Sequence, residues 1–400
     1  MKKTLALAGA CLLAGAASAG TSDSVRIPMS MAEFYRIVEN VKASGTYKAE
    51  RNLPSVRAWM ARQIEDGRAV PEIASPAPVV LDETTVRPAF ATREYRSGER
   101  IFLLGDSITQ NAGAHRFGYD KLLKRGLEVW GKTDVKVINH GRSGSTTCWM
   151  RGEAQKPDWD WIFLEAGIND ANKDWWWDGV ITNYTGNVTE LDSFRNPEKH
   201  PTAGKRQDFC ANVLDIVRKS KAHGAQVILA TTTCNGECNR AWWFKRHEPS
   251  LREHTKYNPM YREIARAEKV PLIDFWKYWM GGPYLRDDGT PAPEDYTGFL
   301  ETNKLRSCEK LMEGRDDVFL SDDSTHLYFQ GYRDIARRLL TVMGCPAAKM
   351  PEIEAAWWNM PGTYEVKLAL PTALCARIAA DAAAAGLDAG KYVHDRILFP

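Results

Sequence analysis

The sequence predicts an α/β protein whose central, mostly parallel sheet of five strands is covered by helices on both faces. From about residue 100 onwards, short apolar runs alternate with amphipathic segments of helical spacing. Strands that alternate with helices in this way are typical of βα units joined into a parallel sheet. The 400 residues are 26% charged with a formal net charge of +2, a balance that indicates no nucleic-acid partner and no strong attraction to acidic membranes.

The elements of this sheet can be assigned in chain order. The five predicted strands are Ile101–Leu104, Val135–Asn139, Trp161–Glu165, Gln226–Thr231 and Pro271–Phe275. The helices predicted between and after them are Phe117–Val129, Gln207–His223, Tyr257–Glu268 and Leu327–Met343. Two connections, at about 172–206 and 281–318, are much longer than the roughly two to six residues usual in α/β units. Long loops on a rigid sheet commonly carry substrate contacts, so we predict them to be insertions near the functional site.

The first 19 residues have the pattern of a secretory signal peptide. Lys2 and Lys3 precede a short apolar run, and Ala17-Ser18-Ala19 supplies small residues at a cleavage site. The sequence therefore predicts export, to the periplasm or as a secreted protein, after cleavage near Ala19. The run is too short to span a bilayer, so no stable membrane insertion is expected. Cys11 among small residues leaves lipoprotein processing open as an alternative.

Cysteine usage leaves the redox state of the exported chain open. Seven cysteines would remain after cleavage, and an odd number leaves at least one outside an intramolecular disulfide. Cys234 and Cys238 are close enough in sequence for a local loop disulfide. A zinc site needs about four ligands at compatible spacing, and no second Cys/His pair accompanies this one, so no metal is expected.

Flanking segments surround the predicted α/β domain of residues 98–345. Residues 20–97 form an N-terminal arm with helices near Met29–Lys42 and Pro54–Asp66, followed by a proline-rich linker. Residues 346–400 form a C-terminal extension with a strand at Thr363–Leu370 and helices at Thr372–Ala385 and Ala389–Leu398. This order faintly resembles the ribbon-helix-helix DNA-binding module, but its strand offers only Lys367 as a phosphate contact. A packing role, or a homodimer through this extension, is the better interpretation.

Four polar motifs follow the strands or precede the last helix of the core. Because the carboxyl ends of parallel strands open onto one crevice, we expect their side chains to converge there. The motifs are Gly105-Asp106-Ser107, Asn139-His140-Gly141-Arg142-Ser143-Gly144, Gly167-Ile168-Asn169-Asp170 and Asp323-Ser324-Thr325-His326.

Together these motifs contain the groups needed for nucleophilic catalysis. A serine hydroxyl is a weak nucleophile until a neighbouring base removes its proton, and His326 is the candidate base for Ser107. Asp323 lies three residues before His326 and can orient the imidazole. Asp322 is an alternative, but the Asp-x-x-His spacing favours Asp323. We expect Asp106 and Asp170 to shape turns rather than to react.

In this order the four motifs resemble those of the SGNH hydrolases, also called the GDSL esterase/lipase family, over about residues 98–345. The resemblance implies a three-layer α/β/α, flavodoxin-like fold and ester hydrolysis through an acyl-serine intermediate, with no cofactor. It also implies that the oxyanion hole consists of the backbone N–H groups of Ser107 and Gly144 and the side-chain amide of Asn169. An oxyanion is then stabilised by donors from three separate motifs.

The substrate class depends on two groups of tryptophans, one in the first long loop and one after the fourth predicted strand. Exposed tryptophans have large apolar faces that suit sugar rings, although the same residues could instead cap the core. Many exported members of this family remove acetyl groups from sugars, so the resemblance favours a carbohydrate O-acetyl esterase acting on a polysaccharide or glycan. The candidate substrate contacts are Arg142, Trp175, Trp176, Trp177, Trp242 and Trp243. The alternatives are a lipase, lysophospholipase or thioesterase, a sugar O-acetyltransferase, and a glycan-binding module with an inactive site.

Overall fold

The computed structural model describes residues 24–47, 54–73, 90–110, 118–155, 158–170, 209–233, 258, 260–275, 326–327 and 329–400. The predicted signal peptide, most of the proline-rich linker and both predicted insertions lie outside these residues. So do Cys234, Cys238 and the five candidate substrate-binding tryptophans. Among the described helices, none is long and apolar enough to cross a membrane.

The central sheet has five parallel strands, as predicted. They are β2 (Arg100–Gly105), β3 (Lys136–Gly141), β4 (Trp161–Glu165), β5 (Gln226–Ala230) and β6 (Leu272–Ile273). Their spatial order is β3-β2-β4-β5-β6. The first strand, β2, therefore lies inside the sheet, β3 forms one edge beside it, and β4, β5 and β6 follow on its other side. In such sheets the crevice at the point of reversal, outside the carboxyl end of the first strand, is the usual ligand site. That point lies at the end of β2, directly before Ser107.

Helices cover both faces of this sheet. They are α3 (Ser107–Gln110), α4 (Tyr119–Val129), α5 (Thr147–Glu153), α6 (Phe209–Ala222), α7 (residues 260–268), α8 (Phe329–Val342) and α9 (Met350–Trp358). Alternate side chains of each strand point to opposite faces. Ile101 and Leu103 join the buried cluster formed with α4 and α8, whereas Phe102 and Leu104 join the cluster formed with α5, α6 and α7. The predicted three-layer α/β/α fold is confirmed.

The α9 helix was not predicted from the sequence. It packs against α4, where Trp357 Nε1 donates a hydrogen bond to the Leu122 carbonyl oxygen at 2.7 Å. Gly126 of α4 allows this approach, because a Cβ there would lie 2.6 Å from Leu340 Cδ1 and 3.1 Å from Trp357 Cζ2. The helix is only nine residues long and has a proline at its start, so its periodicity is too short to stand out.

The two termini of the described chain form a second sheet. Strand β1 (Ser24–Met29), which the sequence analysis missed, pairs antiparallel with β7 (Tyr364–Ala369), and Ile27 lies opposite Val366. The arm adds α1 (Met31–Ala43) and α2 (Pro54–Asp66). The extension adds α10 (Thr372–Ala384) and α11 (Ala389–Val393), followed by a π-helical turn at His394–Leu398. The arm and the extension of one chain therefore pack on each other.

Helix α1 begins at Met31, after a capping box at Ser30, and not at Met29 as predicted. The backbone N–H of Glu33 donates to Ser30 Oγ at 3.2 Å, and the backbone N–H of Ser30 donates to Glu33 Oε2 at 2.7 Å. This reciprocal pair satisfies donors that a helix start leaves open. Met29 is thereby left to β1, whereas the predicted apolar face of the helix, with Phe34, Val38 and Val41, is buried.

Candidate active site

Ser107 is the first residue of the short helix that follows β2. It is 8% exposed, and Asp106 before it is fully buried. Asp106 Oδ1 accepts a hydrogen bond from the Ile108 backbone N–H at 2.9 Å, and its carbonyl oxygen accepts one from Gln110 at 2.9 Å. These bonds hold the strand-to-helix turn rigidly, in the turn-shaping role that we expected for Asp106. The serine hydroxyl is therefore carried on a fixed support at the switch point of the sheet.

Gly105 is needed for close packing rather than for a special backbone conformation. A Cβ at this position would lie 2.0 Å from Thr109 Oγ1 and 2.8 Å from the Glu165 carbonyl oxygen. Thr109 cannot move away freely, because its hydroxyl is hydrogen-bonded to the Tyr119 hydroxyl at 2.9 Å. Glycine is therefore required because α3 packs back against the end of β2.

The loop after β3 is held against the end of β2. The Arg142 backbone N–H and Ser145 Oγ both donate to the Gly105 carbonyl oxygen, at 3.1 and 3.2 Å. Gly144 has φ +71°, and a Cβ there would meet nothing within 4 Å. The structure shows that its left-handed backbone is the constraint, since residues with a side chain rarely adopt it.

The turn after β4 carries Asn169. Gly167 precedes it with φ +119°, and residues 168–170 form a helical turn. The Asn169 Nδ2 atom is buried and has no hydrogen-bond acceptor in the structure. Buried amides nearly always donate to protein or water, so an open donor at this place needs an explanation. An acceptor supplied by a ligand is one such explanation.

The topology brings three of the predicted site residues to one edge of the sheet. Ser107, Gly144 and Asn169 follow β2, β3 and β4, which are adjacent parallel strands. The register is level at this edge, because Gly105 lies opposite Gly141 on one side and opposite Glu165 on the other. The three candidate oxyanion donors therefore lie on neighbouring loops around one crevice.

His326 lies just before α8, on the side of the sheet where α8 packs against α4. The residue is partly exposed, and its Nε2 atom is shielded from solvent. Asp323, its predicted partner, lies outside the described residues. The roles of Ser107, Asp323 and His326 in catalysis stay predictions.

Arg142 lies in the loop after β3, and His140 lies near the end of that strand. Both contact other side chains of the protein. The Arg142 guanidinium lies 5.2 Å from the centroid of the Trp149 ring. His140 stacks on the same tryptophan at 5.4 Å, and its Nε2 atom lies 2.8 Å from Glu153 Oε2. Arg142 is exposed and lies on the rim of the crevice, so it stays a candidate substrate contact, whereas His140 has a structural environment.

Glu165 is a residue that the sequence analysis did not single out. It ends β4 and is fully buried, and neither carboxylate oxygen has a hydrogen-bond partner in the structure. Burial, and next the nearby Asp106 carboxylate, raise the pKa of Glu165 well above its usual value. The burial and the neighbouring carboxylate therefore both favour the protonated form of this side chain. The sequence does contain a signal for it, an acid that closes the otherwise apolar strand Trp161–Leu164.

A protein-family model matches a central part of the chain. The model of the GDSL-like lipase/acylhydrolase family matches residues 103–299. This range includes Ser107, Gly144 and Asn169 and ends before Asp323 and His326. The matched segment thus contains three of the four motifs.

Three proteins that are similar to parts of the chain come from named bacteria. An uncharacterized lipoprotein of Bacillus subtilis, YqeF, is 24% identical over 221 residues, covering 50% of this chain and 79% of its own. The lipase/acylhydrolase of Enterococcus faecalis is 20% identical, covers 62% of this chain and 96% of its own, and has a TM-score of 0.39. A catalytic mutant of Axe2, an acetylxylan esterase from Geobacillus stearothermophilus, is 19% identical, with coverages of 63% and 96% and a TM-score of 0.39.

The family match agrees with the sheet order and with the serine at its switch point, which were found without it. The first three of the motifs that resembled the SGNH hydrolases lie at the carboxyl ends of β2, β3 and β4. The chain belongs to the GDSL-like lipase/acylhydrolase family, the SGNH hydrolases, and is a carboxylic ester hydrolase.

Proposed function

We propose that this protein is an exported serine esterase that removes O-acetyl groups from a carbohydrate through an acyl-serine intermediate on Ser107. The observation that carries the proposed site is the buried Asn169 amide, which has no acceptor in the structure and lies on the loop next to the serine. A tetrahedral oxyanion formed at Ser107 would supply the missing acceptor. Donors that are held in place before the reaction stabilise such charge without reorganising.

The proposed reaction proceeds in two balanced steps. His326 removes the proton from Ser107 Oγ as this oxygen attacks the acetyl carbonyl carbon, and Asp323 orients the imidazole. The C–O bond to the sugar then breaks, and His326 returns the proton to the departing sugar hydroxyl. In the second step His326 deprotonates a water molecule that attacks the acyl-serine. Acetate leaves, and Ser107 regains its proton.

The N–H groups of Ser107 and Gly144 and the Asn169 amide stabilise the oxyanion in both steps. The two backbone donors come from fixed turns. Asp106 holds the turn of Ser107, and the bonds from Arg142 and Ser145 to Gly105 hold the loop of Gly144. No cofactor takes part in the proposed chemistry.

The proposed substrate class rests on the tryptophans of the first long loop, on those that follow β5, and on Arg142. Trp175–Trp177 and Trp242–Trp243 would supply flat apolar faces for sugar rings. Arg142 is exposed on the loop that also carries Gly144. Export rests on the pattern of residues 1–19, and sequencing the N-terminus of the protein recovered outside the cytoplasm tests cleavage after Ala19.

The first experiment measures acetate release from a panel of acetylated glycans, with acetyl and octanoyl aryl esters alongside. We expect the wild-type protein to release acetate and to prefer acetyl over octanoyl esters, and Ser107→Ala to lose turnover. Ser97→Ala is the matched control, because this exposed serine lies before β2, at the opposite end of the strand from Ser107. A preference for octanoyl esters without glycan turnover would instead indicate a lipid or thioester substrate.

The same reactions with an added sugar acceptor separate a hydrolase from a transferase. Acetate as the only product supports hydrolysis, whereas an acetylated acceptor would show transfer of the acyl group to a sugar hydroxyl. Glycan binding without any ester turnover would contradict the esterase.

The base is tested by His326→Ala, which we expect to lose turnover as Ser107→Ala does. His223→Gln is the control, since this exposed histidine lies beyond the carboxyl end of α6. Equal activity of the two histidine variants would remove His326 from the proposed mechanism.

The role of the tryptophans is tested by Trp176→Ala. If this residue binds sugar, KM for an acetylated glycan rises while KM for a small aryl acetate stays the same, because only the glycan reaches the loop. The aryl ester is the internal control for folding. Equal effects on both substrates would make Trp176 a packing residue.

A further inference from the structure

The side chain of Asp170 bridges the two loops that carry Gly144 and Asn169. Asp170 directly follows Asn169 and is 3% exposed. The backbone N–H of Thr147 lies 3.1 and 3.2 Å from its two carboxylate oxygens, and the Thr147 hydroxyl donates to Oδ1 at 2.6 Å. Both donors belong to a single residue, which lies three positions after Gly144.

Thr147 is itself supported from a third element. It is the first residue of α5, and Asn212 Nδ2 of α6 donates to its hydroxyl at 3.4 Å. Asn212 is fully buried. The carboxylate of Asp170 therefore accepts hydrogen bonds inside a packed interior, where bonds to a charged acceptor are stronger than neutral ones.

The loop of Gly144 needs such a support. Gly144 has a left-handed backbone conformation and no side chain that could hold it in place. A Cβ built at this position would meet no atom of the described residues within 4 Å. The bond from Arg142 N–H to the Gly105 oxygen fixes the loop before Gly144, and the bonds of Thr147 fix it afterwards. The hydrogen bonds between Asp170 and Thr147 connect this loop to the turn of Asn169.

We infer that Asp170 is a positioning residue, which fixes the candidate oxyanion donors Gly144 and Asn169 relative to each other through its hydrogen bonds with Thr147. This inference rests on the proposed function, because it assumes that both groups bind the oxyanion. Asp170 does not touch the reacting atoms in this account. Its effect comes from geometry, since a misplacement of about 1 Å can cost about 100-fold in rate.

The chain offers conservative variants and a matched control. Thr147→Val removes the hydroxyl at constant shape, Thr147→Ser keeps it, and Asp170→Asn removes the charge. Asp215→Asn is the control, because Asp215 of α6 also anchors α5, through Arg151 Nε at 2.5 Å near the other end of that helix. Both aspartates support the same helix, but only Asp170 is next to a candidate oxyanion donor.

We expect Thr147→Val and Asp170→Asn to lower kcat by about 10- to 100-fold, with KM changed by less than about twofold, because only transition-state binding is impaired. Thr147→Ser should retain kcat to within about threefold, and Asp215→Asn should retain it fully. When Asn169→Ala is already present, Asp170→Asn should lower kcat much less than it does alone, since residues that act as a unit are not additive.

The experiment measures kcat and KM for these variants, with Ser107→Ala and Asn169→Ala beside them. Loss of activity in the last two with wild-type kcat in Asp170→Asn and Thr147→Val overturns the positioning role and leaves the proposed site intact. Equal loss of kcat in Asp215→Asn and Asp170→Asn also overturns it, because general loosening of α5 would then suffice. Unchanged turnover in Ser107→Ala and Asn169→Ala overturns the site and the positioning role together.

Discussion

At the scale of single residues, the candidate site contains a buried polar atom that has no hydrogen-bond partner among the described residues. This atom is Asn169 Nδ2, which has no acceptor in the structure. Leaving such a group unsatisfied costs about 1–3 kcal/mol, which a purely structural role does not justify. An oxyanion that appears only during the reaction does justify it.

Asn169→Ala is accordingly predicted to lower kcat by about 10²- to 10³-fold, or about 2.7–4 kcal/mol of transition-state stabilisation. The free energy of unfolding should change little or increase, because the buried amide is removed. Steady-state kinetics and urea unfolding measure the two effects. Asn359→Ala, at an exposed asparagine after α9, serves as the control. A variant with wild-type kcat would contradict the oxyanion role.

Glu165 provides a second prediction, on stability against pH. Its pKa is raised in the folded protein above the value of 4.5 of an unfolded glutamate, so the folded state holds the proton more tightly. The contribution of this proton to the free energy of unfolding is therefore fully present below about pH 4.5 and is lost as the pH rises through the folded pKa. Glu165→Gln has no such proton, so over pH 5 to 9 we expect it not to show the loss of stability that this group causes in the wild type.

Urea unfolding of the wild type and Glu165→Gln across this pH range measures the difference. Glu352→Gln is the control, because Glu352 is exposed and pairs only with Lys349 in a surface contact of 2.9 Å. Parallel stability curves for wild type and Glu165→Gln would show that Glu165 is charged in the folded protein.

At the scale of elements, periodicity was sufficient wherever the apolar pattern extended over a full strand or several helical turns. The five core strands and the helices α4, α6 and α8 lie within a few residues of their predicted bounds. The missed elements include the edge strand β1 and the short helices α5 and α9. Strand β1 directly precedes the apolar face of α1, so only the capping box at Ser30 separates the two patterns.

The start of α1 and the C-terminus are joined by a charged cluster that gives a prediction at this scale. His394 Nε2 lies 3.2 Å from Glu33 Oε1, and Nδ1 lies 2.6 Å from Asp395 Oδ1. Contact with Glu33 raises the pKa of His394 despite partial burial. Partial burial alone would raise the pKa of Glu33. The contacts with His394 and Ser30 outweigh this effect, so the pKa of Glu33 is lowered.

The signs of these two shifts define a pH window. The contribution of His394 is fully present below its unfolded pKa near 6.5 and is lost as the pH rises through the folded pKa. The contribution of Glu33 is present above 4.5 and is lost as the pH falls through its own folded pKa. His394→Gln should therefore reduce stability most between about pH 4.5 and 6.5. Melting temperatures at pH 5.5 and 8.5 test this, with Lys349→Gln as a remote control; an equal loss at both pH values would contradict it.

At the scale of the whole molecule, the described part of the N-terminal arm and the C-terminal extension pack with the hydrolase core in one buried cluster. Val25, Ile27 and Val366 of the terminal sheet belong to the same buried cluster as Ile101 and Leu103 of the central sheet. Because the two sheets share one continuous buried cluster, we expect them to unfold together. The homodimer through the C-terminal extension stays a prediction, which light scattering of the purified protein tests.

The terminal sheet offers a comparison between an apolar contact and an exposed ion pair on adjacent residues. Ile27 is fully buried, whereas Arg26 is half-exposed and contacts Glu365 Oε1 at 2.7 Å. Ile27→Ala should cost about 2–5 kcal/mol of unfolding free energy, and Arg26→Ala about 0–1 kcal/mol. Chemical unfolding followed by fluorescence and by ester turnover measures both. Loss of turnover at a lower denaturant concentration than loss of fluorescence would show that the two sheets unfold separately.

The sequence by itself determined the fold class, the strands of the central sheet and the four polar motifs, because these depend on local periodicity and on residue order along the chain. It also placed Ser107 at a strand end, where a parallel sheet opens its crevice. Only the tertiary structure decided which side chains face each other across the loops. The Asp170–Thr147 bridge, the burial of Glu165 near Asp106, the packing of Gly105 against Glu165 and the pairing of β1 with β7 all join residues distant in sequence. Burial and hydrogen bonding at such contacts are set by three-dimensional packing, which no local pattern records.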